Sequence, residues 1–229
     1  MTDPTDYPCR LYLISPMQIE LTTFQTQLRA ALEAGDVGAF QLRLKDTPRE
    51  NIAEAARALQ PICREYGVAF LLNDDVHLAH ELGLDGVHLG QEDMGLKAAR
   101  EILGEDKVIG ISCHDSSHMA MEAGDNGADY VAFGAFYPTA SKSAEKLAKY
   151  GTPTPDILQW WSTYTVVPCV AIGGMTPENC APLVEAGADF IAVINAVWKH
   201  PQGPAAAVNA FNAAIKKALL IRKEMQLVS

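Results

Sequence analysis

Gln41, Arg43 and Lys45 alternate with Leu42 and Leu44. On an extended strand, three polar side chains at every second position share one face. Two cations on that face, one a planar fork and the other a point charge, make an anion clamp. A strand running out into a solvated loop would leave the same pattern. Asn73-Asp74-Asp75 ends the apolar run Ala69-Phe70-Leu71-Leu72, and Gln91-Glu92-Asp93 follows Gly86-Val87-His88-Leu89. Neighbouring strands would bring Asp74 and Asp93 to opposite sides of one cation. With no accompanying Cys or His ligand pattern, two carboxylates favour a hard ion such as Mg²⁺, completed by phosphate oxygens and water. The same triplet also suits a plainer use, with Asp74 or Asp75 capping a helix that begins near Val76.

A second phosphate-binding signal lies in Gly173-Gly174-Met175-Thr176-Pro177-Glu178. The glycines allow close backbone approach, Thr176 can cap a helix, and Pro177 fits its first turn. A tight turn explains the pair of glycines equally well. Other chemistries fare worse. Cys113 and His114 are adjacent on a strand and should face opposite ways, which argues against a nucleophile and its base. His114 and His118 lack a third zinc ligand. His77 and His80 read as helix surface or packing residues, and Trp160-Trp161 as helix packing.

These residues need a scaffold. Gly83-Leu84-Asp85-Gly86-Val87-His88-Leu89, Gly127-Ala128-Asp129-Tyr130-Val131-Ala132-Phe133 and Gly187-Ala188-Asp189-Phe190-Ile191-Ala192-Val193 repeat one pattern, with Gly35 to Gln41 a looser copy. A glycine closes an amphipathic stretch, an aspartate turns the chain, and an apolar run follows. Eight such runs fall near Leu11–Ile14, Ala39–Leu42, Val68–Leu72, Gly86–Leu89, Val108–Ile111, Tyr130–Phe133, Cys169–Ile172 and Phe190–Ile194. Helical stretches lie between them, such as Pro48–Tyr66 with Ile52, Ala55, Ala56 and Leu59 on one stripe, and Ala205–Leu220 closes the chain. Alternating strand and helix predicts a parallel sheet, and eight units predict closure into a (β/α)8 TIM barrel. A doubly wound open sheet is the alternative. Residues 1–229 read as one such domain, with 1–9 an N-terminal extension and 137–155 a mobile active-site loop. In a barrel the site lies at the carboxyl ends of the strands. Those ends carry Gln41, Arg43, Lys45, Asn73, Asp74, Gln91, Asp93, Ser112, His114, Thr139, Ser141, Lys142, Gly173, Gly174 and Asn195.

The formal net charge of -10 argues against nucleic acid or an anionic membrane as the main partner, so an anionic ligand needs a local cationic cluster. The 5 cysteines form no C-x-x-C pair, which suits structural thiols in a reducing cytoplasm. The first residues lack a secretory pattern, and no apolar run reaches membrane-spanning length. A homo-oligomer is compatible with this sequence, which leaves the oligomeric state open.

Gln41-Leu42-Arg43-Leu44-Lys45, Leu72-Asn73-Asp74, Gly86-Val87-His88-Leu89-Gly90-Gln91-Glu92-Asp93 and Gly110-Ile111-Ser112-Cys113-His114 resemble motifs of the thiamine-phosphate synthase family, in the same order. Phe136-Tyr137-Pro138-Thr139-Ala140-Ser141-Lys142, Val170-Ala171-Ile172-Gly173-Gly174-Met175 and Ala188-Asp189-Phe190-Ile191-Ala192-Val193 continue the resemblance over nearly the whole chain. It implies a transferase that joins a pyrimidine methyl diphosphate to a thiazole phosphate with Mg²⁺. Carried over by motif, Gln41 contacts the pyrimidine, while Arg43, Lys45, Asn73 and Lys142 hold the diphosphate. Asp74 and Asp93 ligate Mg²⁺, and Ser112 hydrogen-bonds near the diphosphate. Thr139, Ser141, Gly173, Gly174, Ile194 and Asn195 surround the thiazole phosphate. Two departures stand out: Asn195 replaces the family's usual Ser or Thr, and the stretch from Ser143 to Pro155, with Lys146 and Lys149, is an unusual version of its mobile segment. The rival readings are a thiazole tautomerase, with His114 as proton carrier, and a phosphate-binding barrel without catalysis.

Overall fold

The Gly-x-Asp repeat is the device that joins one strand to the next in a computed structural model describing residues 9–139 and 150–228. Gly83, Gly127 and Gly187 take φ values of 62°, 87° and 113°, the left-handed side that ends a helical stretch. Each following aspartate then bonds back to the preceding strand. Asp85 accepts from the Phe70 amide at 2.7 Å, Asp129 from Ile109 at 2.7 Å and Asp189 from Cys169 at 2.8 Å. The aspartates therefore satisfy amides at strand starts that would otherwise lack partners. In the looser copy, Asp36 instead pairs with Arg10.

The elements run β1 (Arg10–Ile14), α1 (Leu21–Glu33), β2 (Val37–Leu42), α2 (Arg49–Glu65), β3 (Ala69–Asn73), α3 (Val76–Glu81), β4 (Gly86–Leu89), α4 (Leu96–Leu103), β5 (Val108–His114) and α5 (Ser117–Asp125). They continue with β6 (Tyr130–Gly134), α6 (Asp156–Tyr164), β7 (Cys169–Ile172), α7 (Ala181–Glu185), β8 (Phe190–Val193), α8 (Asn195–Trp198) and α9 (Pro204–Val228). All strand pairs are parallel and follow chain order, and β8 returns to pair with β1. That closing pair makes the sheet a (β/α)8 barrel and rules out the open doubly wound alternative.

Alternation along each strand divides the apolar residues into two cores. Leu11, Leu13, Phe40, Leu42, Val87, Leu89 and Phe133 face the helices, where Phe24, Leu28, Leu59, Trp161 and Phe211 meet them. Tyr12, Ile14, Ala39, Leu71, Tyr130, Ala132, Val170 and Ala192 fill the barrel interior. The many small interior residues leave room for the two tyrosine rings. Gly110 is required here, because a Cβ at that position would overlap the Tyr130 ring.

The strand expectations hold with small shifts. The apolar run at Val108–Ile111 marks only part of β5, which continues through Ser112 to His114 with a bulge between those two residues. Backbone pairing needs no apolar side chain, so polar rim residues extend a strand unseen by hydropathy. The last helix likewise runs past Leu220 to Val228, through good helix formers with no breaker. All five cysteines are free and buried. Among the described residues no helix is long and apolar enough to cross a membrane. Residues 1–8 of the expected N-terminal extension, and 140–149 of the expected loop, lie outside the described residues.

Candidate active site

Three non-glycine residues near this rim take the left-handed side: Asp46 in the loop after β2 (φ 52°), Asp74 just after β3 (φ 66°) and His114 at the end of β5 (φ 57°). Aspartate tolerates that conformation, and for histidine it is a strain the surrounding packing must hold. At β3 the turn separates two carboxylates, either of which the sequence allowed as the helix cap. Asp75 caps α3, its side chain accepting from the Leu78 amide at 2.8 Å, with Arg49 3.1 Å away. Asp74 is thereby free for the cavity, where its Oδ2 receives Lys45 Nζ at 2.9 Å. Asp75→Ala should therefore cost about 1 kcal/mol of folding stability, the usual loss of a cap, and leave turnover intact. Denaturant titration and a rate assay check both halves.

A cavity of 840 Å³ opens at the carboxyl ends of the strands. Gln41, Arg43, Lys45, Asn73, Asp74, Asp93, Ser112, Thr139, Gly173, Gly174, Ile194 and Asn195 all line it. The structure thus brings together every site residue expected from the sequence except Ser141 and Lys142, which lie outside the described residues.

The acidic side is tight. Burial holds the Asp93 carboxyl above its ordinary range and the neighbouring Asp74 carboxylate adds to this, while the Gly90 amide and Lys45 oppose it. Gly90 donates to Asp93 Oδ2 at 2.7 Å, fixing the side chain. Among the described residues no group of three or more His, Cys, Asp or Glu forms a closed metal cage. Two adjacent carboxylates with open positions fit Mg²⁺, which keeps waters and takes phosphate oxygens as further ligands.

The cationic side is poised for an anion. Arg43 is anchored through its backbone, whose amide donates to the buried Ser15 Oγ at 2.8 Å. Its Nη1 is buried and has no hydrogen-bond partner among the described residues. Burial lowers the guanidinium below its usual range, partly offset by Asp74. Such an unsatisfied donor is costly unless a ligand meets it.

The glycine pair has a steric cause. Gly173 (φ 108°) and Gly174 (φ 63°) face the segment after β6, where Cβ atoms would run into Ala135 and into Tyr137 and Pro138. Thr176 and Pro177 do not begin a helix as expected. Residues 177–180 form a turn and α7 starts at Ala181. The side chain of Asn179 accounts for this, accepting from the Thr176 amide at 2.8 Å and donating to the Gly174 carbonyl at 3.0 Å.

Cys113 is fully buried, its thiol pushed up to about 12 by desolvation, so it is no nucleophile. His114 lines the cavity and stacks on Tyr150 at 3.7 Å between ring centroids. His77, His80 and His118 are exposed, and Trp161 packs edge-on against Phe133.

Sequence reasoning missed Tyr12, His88 and Tyr130. Tyr12 donates to Gln41 Oε1 at 3.0 Å and its hydroxyl lies 2.9 Å from that of Tyr130. His88 links the Tyr130 hydroxyl (Nδ1, 2.8 Å) to Ser112 Oγ (Nε2, 2.8 Å), and Gln41 Nε2 donates to Asn73 Oδ1 at 2.7 Å. A signal was available: in β4, Val87 and Leu89 face the helices, so His88 between them must point into the barrel.

A family model described as thiamine monophosphate synthase matches residues 11–197. The chain is 52% identical over 208 residues to the thiamine-phosphate synthase of Rhodospirillum centenum, covering 91% of this chain and 98% of that one. It is 50% identical over 216 residues to that of Erythrobacter litoralis, covering 93% and 99%. The solved thiamine phosphate pyrophosphorylase from Pyrococcus furiosus is similar in structure, with a TM-score of 0.79 at 31% identity over 92% of this chain and 96% of that one.

Proposed function

This chain belongs to the thiamine monophosphate synthase family, and from that premise we propose that its cavity joins 4-amino-2-methyl-5-(diphosphooxymethyl)pyrimidine to a thiazole phosphate, releasing thiamine phosphate and diphosphate. Arg43 and Lys45 hold the diphosphate, with Asn73, Ser112 and Lys142, and Gln41 takes the pyrimidine edge. Asp74 and Asp93 hold Mg²⁺, which when bound supplies additional positive charge to the diphosphate oxygens. Thr139, Ser141, Gly173, Gly174, Ile194 and Asn195 receive the thiazole phosphate.

Charge builds on the diphosphate as its carbon–oxygen bond breaks. Cations aimed at it stabilise the transition state more than the ground state. The electron-rich aminopyrimidine tolerates a cationic methylene, and the thiazole nitrogen brings its own lone pair. No general base is then required, and holding the two rings in register supplies the rest. We place this reaction in the cytoplasm and assign it to one barrel domain spanning residues 1–229.

The observation that supports this reading most is the buried Arg43 Nη1, unmet among the described residues, in the same cavity as the Asp74–Asp93 pair. Purified protein mixed with Mg²⁺ and both substrates should yield thiamine phosphate by mass spectrometry. Binding of both compounds without product would favour a non-catalytic barrel, and isomerisation of the thiazole phosphate alone would favour a tautomerase. Within this reading, Asn195→Ser should leave affinity for the pyrimidine diphosphate nearly unchanged, as read by calorimetry. A large loss would show that the two substrates have been placed the wrong way round.

A further inference from the structure

The hydrogen bonds under the cavity form one unbroken chain, Asn73–Gln41–Tyr12–Tyr130–His88–Ser112, drawn from six different strands. The Tyr12–Tyr130 step crosses the barrel interior, since β1 and β6 are not neighbours. Counting protons fixes its direction. Tyr12 has one hydroxyl proton and gives it to Gln41 Oε1, which can only accept. Tyr130 must therefore donate to Tyr12, and that uses its only proton. His88 Nδ1 faces a Tyr130 oxygen with nothing left to give, so Nδ1 carries the ring proton. In the neutral ring, Nε2 then offers a lone pair, and the Ser112 hydroxyl meets it by donating.

We propose that Tyr12, Tyr130 and His88 are positioning residues in a one-way relay that places the His88 proton on Nδ1 and so sets the orientation of both the Ser112 hydroxyl and the Gln41 amide. Gln41 uses one Nε2 hydrogen on Asn73 and one Oε1 lone pair on Tyr12, which leaves one donor and one acceptor side by side. Ser112, its proton committed to His88, presents oxygen lone pairs to the cavity. The rings are held as well as bonded: His88 stacks on Tyr130 at 5.6 Å between centroids, and Tyr12 tilts against Tyr130 at 5.9 Å. Both phenols are buried, desolvation holds them above the usual range, and they remain donors at working pH. Three residues that need touch no substrate thus orient two that do. What the oriented groups touch rests on the function proposed above; the relay itself does not.

The test has two readouts. Nitrogen-15 NMR of the ligand-free protein, with His88 assigned by difference against His88→Gln, should show His88 protonated on Nδ1. Tyr130→Phe, which keeps the ring and removes the link, should lower that Nδ1–H share. In the same variant kcat for thiamine phosphate should fall about 10- to 10²-fold, the scale of a misplaced reacting group, with KM for the thiazole phosphate unchanged. Tyr12→Phe serves as a second break and should lower kcat in the same range. A wild-type His88 protonated only on Nε2 overturns the relay, whether or not the protein makes thiamine phosphate. Full turnover in both phenylalanine variants overturns the positioning role. Absence of product in the wild type would defeat the proposed function while the NMR result still decides the relay.

Discussion

Replacing Asp74 or Asp93 by alanine should lower the rate of thiamine phosphate formation by roughly 10²-fold or more, the scale on which electrostatic and metal-borne stabilisation of a leaving group is lost. The fold should barely register either change. The Lys45–Asp74 pair leaves 39% and 37% of its side chains exposed, and ion pairs of that kind contribute little to stability. Asp93 is fixed by the Gly90 amide in the loop just before α4, which begins at Leu96. The loss should therefore appear in turnover and in its dependence on Mg²⁺ concentration, while the unfolding midpoint should stay close to that of the wild type. Asp75→Ala is the matched control from the next position, with the opposite profile. Wild-type rates in both the Asp74 and Asp93 variants would remove the metal assignment.

The barrel was legible because its signal is local and repeated. A glycine, an aspartate and an apolar run recur before β4, β6 and β8, and the aspartate does more than turn the chain, since its carboxylate bonds the preceding strand. The rim residues were legible for a related reason: polar side chains at the ends of apolar runs fall on one mouth once the strands are parallel. Which of Asp74 and Asp75 caps the helix was not, because only the left-handed turn at Asp74 decides it. Nor was the role of Thr176, where the Asn179 side chain captures the loop that a capping pattern would have assigned to a helix. The relay is the clearest gap. Tyr12 and Tyr130 meet across the barrel from positions 118 apart in the chain, so no spacing in the sequence brings them together. Period-two alternation can turn a ring indoors, but only the closed barrel says which ring it faces.

Arg43→Met should separate activity from stability more sharply than any other change in this cavity. Methionine keeps most of the aliphatic stem and removes the guanidinium. Turnover should fall by about 10²- to 10³-fold, the cost of losing a donor aimed at developing negative charge. Stability should move the other way. A buried Nη1 without a partner among the described residues and a guanidinium disfavoured by burial are native-state costs, and replacing a buried charge by an apolar group is commonly neutral or stabilising. The thermal midpoint of the ligand-free variant should thus equal or exceed that of the wild type. Inorganic diphosphate with Mg²⁺ should raise the wild-type midpoint, since a ligand bound only by the folded state stabilises it, and raise that of Arg43→Met far less. Arg43→Lys retains the charge but not the planar fork, and its rate should lie between the two. A ligand-free Arg43→Met protein that melts well below the wild type would mean that Arg43 holds the barrel mouth together, and an unchanged rate would mean that the diphosphate is held elsewhere.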